Sequence, residues 1–285
     1  MADENRAHKA NCPGDFFVDT TCIDCPICRQ VAPGVFGDGP DQAVVHRQPS
    51  TSTEVLRASM ALVSCPAGSI GSRAPVDVRA AIEALPERIA GNVYWCGFAS
   101  SDSYGAQSYL ITREDGNVLV DSPRFTSALV RKLESMGGVR YMYLTHQDDV
   151  ADHEKYRRHF GAEGVIHESD APDSLKAIER KLSGAGPWSL GSDLRIIGTP
   201  GHTRGHTVLL HGEEFLFTGD HLFADEGRLV ASRRFNWHSW DEQIRSIDKL
   251  ADEPFTWILP GHGYRFHAAR DRMREEIRAL LARLR

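Results

Sequence analysis

Short apolar runs separated by polar turns dominate the larger, C-terminal part of the chain. Residues 108–112 and 117–121 flank Asp115-Gly116, which is a strong signal for a β-hairpin. The apolar run at 139–144 is broken only by Arg140 and predicts a buried strand. The pattern predicts helices at 127–136, 152–160, 174–182 and 268–284. Because the strands cluster in two halves with helices between them, the sequence predicts an α/β fold, an αββα sandwich.

Length and charge limit the possible classes of protein. A chain of 285 residues with 41% hydrophobic residues has room for a large domain and a small one. The net charge of −6 argues against a nucleic-acid binder and provides no basic face for a membrane. No apolar run approaches the ~18 residues that span a bilayer. The first residues carry acids and lack an apolar signal region, so we predict a cytoplasmic protein.

Two histidines and three aspartates follow the strand at 139–144 within eight positions, namely His146, Asp148, Asp149, Asp152 and His153. Imidazole nitrogen and carboxylate oxygen are ligands that Zn²⁺ or non-haem iron selects. An acidic cluster at a strand end is costly unless a cation compensates it. A solvated acidic loop is the alternative that this segment alone leaves open.

Three later segments repeat this design. Residues 199–202 place His202 on a tight turn, residues 217–220 end an apolar strand at Asp220, and residues 258–263 end another near His262. In each case a strand delivers one candidate ligand, and small residues let the backbone come close to it. Loops at strand ends are where chemistry usually takes place.

These four motifs, in this order, resemble those of the metallo-β-lactamase superfamily, closest to its glyoxalase II-like and flavodiiron branches, over residues 92–285. The resemblance implies a dinuclear metal site in which Asp152 and Asp220 are catalytic. By this resemblance the first metal would be bound by His146 and His202, and the second by Asp152, His153 and His262. Asp220 would bridge the two metals.

One departure from the family pattern concerns the first motif. The family has His-x-His-x-Asp-His, whereas here the second histidine is missing and two residues are inserted. Asp148 is the predicted replacement, since residues i and i+2 share a face in an extended chain. Asp149 is the open alternative. A carboxylate at this place is similar to the flavodiiron branch, where a glutamate is found and the metals are iron.

Four of the six cysteines form a second pattern. Cys22, Cys25 and Cys28 are spaced as two consecutive Cys-x-x-Cys units, and Cys65 is followed by Pro66. Three thiolates on one loop can hold three corners of a cubane, and Cys65 supplies the fourth. Residues 15–75 resemble a single-cluster bacterial ferredoxin, which implies a small α+β domain with a [4Fe–4S] cluster, joined by a connector at 76–91. Zinc on the same thiolates is the alternative.

Two arginines lie between the last two metal motifs. Arg233 and Arg234, followed by aromatic residues, are predicted to bind an anionic part of the substrate, because guanidinium groups recognise carboxylates well. Ordinary packing at the start of a helix is the alternative.

A pair of metal ions supplies a nucleophile for hydrolysis at neutral pH. We therefore predict a hydrolase of a small ester or thioester that also carries an iron–sulfur cluster. The alternative is a diiron oxidoreductase that acts on oxygen, NO or persulfide and receives electrons from the cluster. A non-catalytic sensor would have lost ligands, but apart from the change at Asp148 they are present. We expect a small-molecule substrate and a possible redox partner protein, and neither nucleic acid nor membrane.

Overall fold

The N-terminal module, residues 2–75, is built from four short strands and two helices in a computed structural model that describes residues 2–285. The elements are β1 (Phe16–Val18), α1 (Ile27–Val31), β2 (Phe36–Asp38), β3 (Ala43–Val45), α2 (Ser52–Ser64) and β4 (Ile70–Ser72). β1 pairs with β4 and β2 with β3, both antiparallel. Helix α2 begins after a capping box between Thr51 and Glu54 and ends at Ser64, directly before Cys65.

A seven-stranded sheet forms the first half of the C-terminal domain. Its elements are α3 (Arg79–Glu83), β5 (Glu87–Ala90), β6 (Val93–Trp95), β7 (Tyr109–Ile111), β8 (Val118–Val120), α4 (Ser127–Ser135), β9 (Tyr141–Tyr143), α5 (His153–Phe160), β10 (Glu163–His167) and β11 (Arg180–Leu182). The strand order is β11-β10-β9-β8-β7-β6-β5. Strands β5 to β8 pair antiparallel, and β8 to β11 pair parallel.

A six-stranded sheet, together with a small hairpin, forms the second half. Its elements are β12 (Trp188–Ser189), β13 (Leu194–Gly198), β14 (Thr207–His211), β15 (Phe215–Gly219), β16 (Phe223–Asp225), β17 (Arg228–Val230), α6 (Trp240–Leu250), β18 (Trp257–Pro260), β19 (Phe266–His267) and α7 (Arg270–Leu284). The strand order is β12-β13-β14-β15-β18-β19, and β16 pairs with β17. Only β15 and β18 pair parallel in the six-stranded sheet.

Alternating side chains explain why the two sheets stack. In β15, Phe215 and Phe217 pack in the core between the sheets, whereas Leu216 packs with the buried faces of α6 and α7. Successive side chains on a strand point to opposite faces, so both faces of this strand are apolar. The ring of Tyr109, from the first sheet, meets Phe217 edge-on at 5.4 Å. The predicted αββα sandwich is confirmed, and its core is continuous with that of the N-terminal module.

Two local predictions need revision. The helix predicted at 174–182 is wrong, because only Asp173–Leu175 forms a short helical turn and Arg180–Leu182 pairs in parallel with β10. The unpaired hydrogen-bonding groups at the edge of β10 outweigh local helix propensity there. The predicted connector, 76–91, contains α3 and contributes β5 to the large sheet. Within residues 2–285, none of the helices has the length and apolar character to cross a bilayer.

Candidate metal centre and thiol cluster

Four strand ends bring the candidate ligands together. His146 and its neighbours follow β9, His202 follows β13, Asp220 follows β15, and His262 follows β18. Since β15 and β18 are parallel, their carboxyl ends lie at the same edge, and the N–H of Gly261 donates to the carbonyl of Gly219 at 2.8 Å. The loop after β9 is tied to the second sheet because the N–H of Thr207 donates to the carbonyl of Thr145 at 2.9 Å.

The first group of converging ligand atoms consists of His146, His202 and Asp220. Oδ2 of Asp220 lies 3.9 Å from Nε2 of His146 and 3.8 Å from Nε2 of His202. Asp148 faces the same space, with its Oδ2 3.8 Å from Nε2 of His146 and 3.5 Å from Nε2 of His202. The Asp148 carboxylate therefore lies within 4 Å of both histidines of the first group.

The second group consists of Asp149, Asp220 and His262. Nδ1 of His262 lies 2.7 Å from Oδ1 of Asp220 and 4.0 Å from Oδ2 of Asp149. Asp220 belongs to both groups, as expected of a bridging carboxylate. Asp149 lies in this second group and not in the first, where it was the alternative to Asp148.

Asp152 and His153 lie elsewhere than predicted. The carboxylate of Asp152 accepts the N–H of Phe125 at 2.7 Å and pairs with Lys155 at 2.6 Å, at the start of α5. His153 is the first residue of α5 and is buried, but its ring is not among the converging ligand atoms of residues 2–285. We therefore correct the expected ligand set for the second position, because Asp149 lies where Asp152 and His153 were expected.

The donor set fits metal ions. Four buried atoms that face this space lack a hydrogen-bond partner within residues 2–285, namely Nε2 of His146, Oδ2 of Asp148, Oδ2 of Asp149 and Nε2 of His202. A Cβ added to Gly261 would lie 2.5 Å from Oδ2 of Asp149 and 2.9 Å from Oδ1 of Asp220, so glycine keeps the space between these carboxylates open. Unpartnered buried donors and acceptors are costly, and a bound cation removes that cost.

Charge repulsion and burial perturb the pKa values in this cluster. Burial and the charge of Asp220 raise the pKa of Asp149 well above its ordinary range. Burial lowers the pKa of His146 to about 4, so its imidazole is neutral and able to bind metal at pH 7. Burial would also lower the pKa of His262, but the carboxylates of Asp220 and Asp149 raise it to about 10. A cation would take the place of the proton on His262.

Asp121 supports the candidate ligand His146 through Thr145, and the sequence did not predict it. Its buried carboxylate accepts the N–H of Thr145 at 2.8 Å and the hydroxyl of Thr145 at 3.0 Å. The same hydroxyl lies 2.9 Å from Nδ1 of His146. Because the hydroxyl proton goes to Asp121, Nδ1–H of His146 donates to the hydroxyl and Nε2 is left free for a metal. An aspartate directly after the apolar strand β8 was the available signal.

Asp170 supports the other histidine of the first group. Its buried carboxylate accepts the N–H of Gly205 at 2.6 Å and a hydrogen bond from the hydroxyl of Thr203, so it holds the loop that carries His202. The buried rings of His206 and His221 stack behind the site at 5.2 Å. Burial keeps the pKa of both imidazoles below the ordinary value.

The predicted substrate arginines lie on a loop beside His202. Arg233 and Arg234 are exposed, and the guanidinium of Arg234 lies 5.5 Å from the ring centroid of Phe235. The loop is fixed because the N–H of Trp237 donates to the carbonyl of His202 at 2.8 Å.

Four thiols line one small apolar cavity in the N-terminal module, namely those of Cys22, Cys25, Cys28 and Cys65. Backbone N–H groups point at two of the sulfurs, from Ser69 to Cys65 at 3.3 Å and from Asp24 to Cys22 at 3.4 Å. Burial raises the pKa of Cys25 to about 12. Convergent sulfurs with amide donors in an apolar pocket fit an iron–sulfur cluster.

Both the N-terminal module and the C-terminal domain match known protein families. Residues 18–72 match the family described as the 4Fe-4S single cluster domain of Ferredoxin I, and residues 103–262 match the metallo-beta-lactamase superfamily. Hydroxyacylglutathione hydrolase of Acidiphilium cryptum (strain JF-5) is 29% identical over 60% of this chain and 68% of its own length. The hydroxyacylglutathione hydrolase of Shewanella pealeana is also 29% identical, over 61% of this chain and 63% of its own length.

Solved structures show the same fold. A metallo-beta-lactamase from Hirschia baltica is similar with a TM-score of 0.53 at 16% identity, over 70% of this chain and 96% of that one. ETHE1 from Myxococcus xanthus has a TM-score of 0.51 at 21% identity, over 67% and 84%. Together with the relatives above, the family match supports the prediction of a metallo-hydrolase that carries an iron–sulfur domain. This chain, with two groups of candidate metal ligands at the strand ends of an αββα sandwich, belongs to the metallo-β-lactamase superfamily.

Proposed function

We propose that the protein hydrolyses a small ester or thioester at a dinuclear metal site. The observation that carries this proposal is that two ligand groups share Asp220 at one edge of the sandwich. The first position would be held by His146, Asp148, His202 and Asp220, and the second by Asp149, Asp220 and His262. Bound divalent ions would supply a Lewis acid and a nucleophile at neutral pH.

The chain's own residues orient these ligands and admit the substrate. Asp121 and Thr145 fix the tautomer of His146, which keeps Nε2 aimed at the first position. Arg233 and Arg234 offer exposed guanidinium groups beside His202, which suit a substrate with a carboxylate. The hydroxyacylglutathione hydrolase relatives direct attention to glutathione thioesters, which carry such carboxylates.

A thioesterase assay tests this proposal. The protein, purified anaerobically and analysed for metal, should hydrolyse a hydroxyacylglutathione thioester, with release of free thiol measured spectrophotometrically. His202→Ala should abolish activity with loss of metal, whereas Arg233→Ala/Arg234→Ala should raise KM and keep the metal. Full activity in His202→Ala, or no hydrolysis of any ester or thioester by the fully metal-loaded protein, would contradict the proposal.

A second candidate function is diiron redox chemistry, and the position of Asp148 favours it. Its carboxylate stands 3.5 Å from His202 where the family pattern has a histidine. Two histidines with carboxylate ligands form a donor set typical of non-haem iron, and carboxylates favour harder metals than zinc. Metal analysis of protein from cells grown with both metals tests it, since iron in excess of the cluster's own is required for redox chemistry at this site, and two zinc ions per chain would exclude it.

A further inference from the structure

Two consecutive residues lie between the thiol cluster and the metal centre. The carbonyl oxygen of Tyr104 is 3.4 Å from Nε2 of His262. A Cβ added to Gly105 would lie 3.4 Å from Sγ of Cys25 and 3.0 Å from Pro66, so the backbone of Gly105 is packed against the cysteine loop. The segment Tyr104-Gly105 therefore contacts a candidate cluster ligand on one side and a candidate metal ligand on the other.

The ring of His262 completes the connection. Its Nε2 points at the carbonyl of Tyr104, and its Nδ1 lies 2.7 Å from Asp220 at the second metal position. Because a peptide unit and a van der Waals contact are each only a few ångströms long, Sγ of Cys25 and Nε2 of His262 are separated by at most about 11 Å along this path.

A second set of contacts holds the two ends at a fixed separation. Gln30, in the helix that begins before Cys28, accepts the N–H of Arg265 at 2.9 Å and donates to Gln107 at 2.6 Å. Gln107 in turn donates its N–H to the carbonyl of Gly261, the residue before His262. The cysteine loop and the His262 loop thus belong to one hydrogen-bonded unit.

We propose that Tyr104, Gly105 and His262 form the route by which one electron passes from the cluster on the four cysteines to an iron ion at the second metal position. A reduced cluster held by the four cysteines would lose one electron, and a ferric ion held by Asp149, Asp220 and His262 would gain it and become ferrous. No covalent bond forms or breaks. A low-potential one-electron carrier restores the reduced cluster, and dithionite serves that role in the test.

This inference rests on the proposed cluster and on the proposed second metal position, but it does not require that the protein hydrolyses a substrate. A protein that hydrolyses thioesters yet transfers no electron keeps the proposed function and loses this inference. A protein that transfers the electron but hydrolyses nothing does the reverse.

EPR measurements on the full chain test whether the electron passes from the cluster to the second metal position. The cluster is reduced with dithionite, and the excess dithionite is removed before the second position is loaded with zinc in one sample and with ferric iron in the other. In the iron sample, the EPR signal of the reduced cluster should be lost as ferrous iron forms in a one-to-one ratio, and in the zinc sample it should persist. If the EPR signal of the reduced cluster has the same lifetime and the same spin relaxation in the iron sample as in the zinc sample, the proposal is overturned.

A matched pair of glycine variants tests the route. Gly105→Ala pushes the segment away from Cys25 and should slow the loss of the cluster signal several-fold. Gly184→Ala is the control, because Gly184 has a similar φ of +81° against +85° but nothing within 4 Å of its added Cβ. An unchanged rate in Gly105→Ala with full cluster and iron content would overturn the route. If Gly105→Ala does not assemble the cluster, the comparison of zinc with iron in the unmodified protein decides.

Discussion

Replacing Asp149 and Asp152 one at a time distinguishes the ligand set of the structure from the one that the family pattern implied. In Asp149→Asn the second metal position loses a direct ligand. Replacing a residue that only hydrogen-bonds to a metal ligand typically weakens metal affinity about 10–100-fold. Because Asp149 is itself a proposed ligand, we expect Asp149→Asn to weaken the affinity of the second position at least about 100-fold. Asp152→Asn should keep the metal, because its carboxylate serves Phe125 and Lys155 instead.

The stability of the metal-free protein should move in the opposite direction. Oδ2 of Asp149 is buried without a hydrogen-bond partner within residues 2–285, and burial with the nearby charge of Asp220 raises its pKa. At pH 7 the unfolded chain keeps Asp149 ionised, whereas folding disfavours that charge, and the neutral amide in Asp149→Asn does not carry this cost. Metal-free Asp149→Asn should therefore be more stable than the unmodified protein by at least about 1.4 kcal/mol, the free energy that corresponds to a pKa difference of one between the folded and the unfolded chain. Asp152→Asn loses only an ion pair with the exposed Lys155, which is about 0–1 kcal/mol.

Urea denaturation with chelator, paired with metal analysis after dialysis, measures both effects on the same preparations. The reasoning is refuted if Asp149→Asn retains two metal ions per chain while Asp152→Asn loses one. It is also refuted if metal-free Asp149→Asn is less stable than the unmodified protein, because Asp149 would then be a structural group.

Three further changes test other parts of the structure. Gly261→Ala should lose the second metal ion and keep the fold, since its Cβ would occupy the space between Asp149 and Asp220. The control is Gly34→Ala, whose Cβ would meet only the end of a flexible arginine and, at 4.0 Å, a glutamate oxygen. Full metal content in both variants by elemental analysis would contradict this prediction. Asp148→Ala should empty the first position and leave the second, whereas Asp148→His should shift metal preference toward zinc in competition dialysis; unchanged occupancy in both would mean that Asp148 is no ligand. The free energy of unfolding of the reduced, cluster-free protein should fall as pH rises from about 9 toward about 12, because burial raises the pKa of Cys25 and the folded state keeps that proton longer than the unfolded chain. Urea denaturation at each pH measures this. Cys25→Ser should make the free energy less dependent on pH in this range, and a steeper dependence would contradict the prediction.

The sequence could reveal the strand-end ligands because each is encoded locally. An apolar strand followed by glycine and a histidine or aspartate is visible without any knowledge of the partner strands, as at Asp220 and His262. The proximity of Asp148 to His146 agrees with local geometry, since alternate residues of an extended segment share a face.

The register after Asp148 could not be predicted from the sequence. Ala151 turns the chain with a φ of +25°, so the residues after Asp149 leave the site and Asp152 begins α5. What fixes this turn is the hydrogen bond from Phe125 to Asp152, between residues 27 positions apart. The supporting role of Asp121 likewise depends on Thr145, which is 24 positions away. Such contacts are set by tertiary packing and leave no periodic signal.

The charge balance of the site connects the metal centre to the N-terminal module. With metal bound, the carboxylates of Asp148, Asp149, Asp220 and the supporting Asp121 would bring four negative charges to one largely buried region. Two divalent cations carry an equal positive charge, so the set is matched to two metal ions. With a histidine in place of Asp148 the balance would be one charge more positive. The extra carboxylate therefore favours the more positive ion of a redox pair, which makes a ferric ion in this site harder to reduce. Sγ of Cys25 lies about 11 Å or less from Nε2 of His262, so a cluster held by the four cysteines would be close enough to supply the electron that such a site requires.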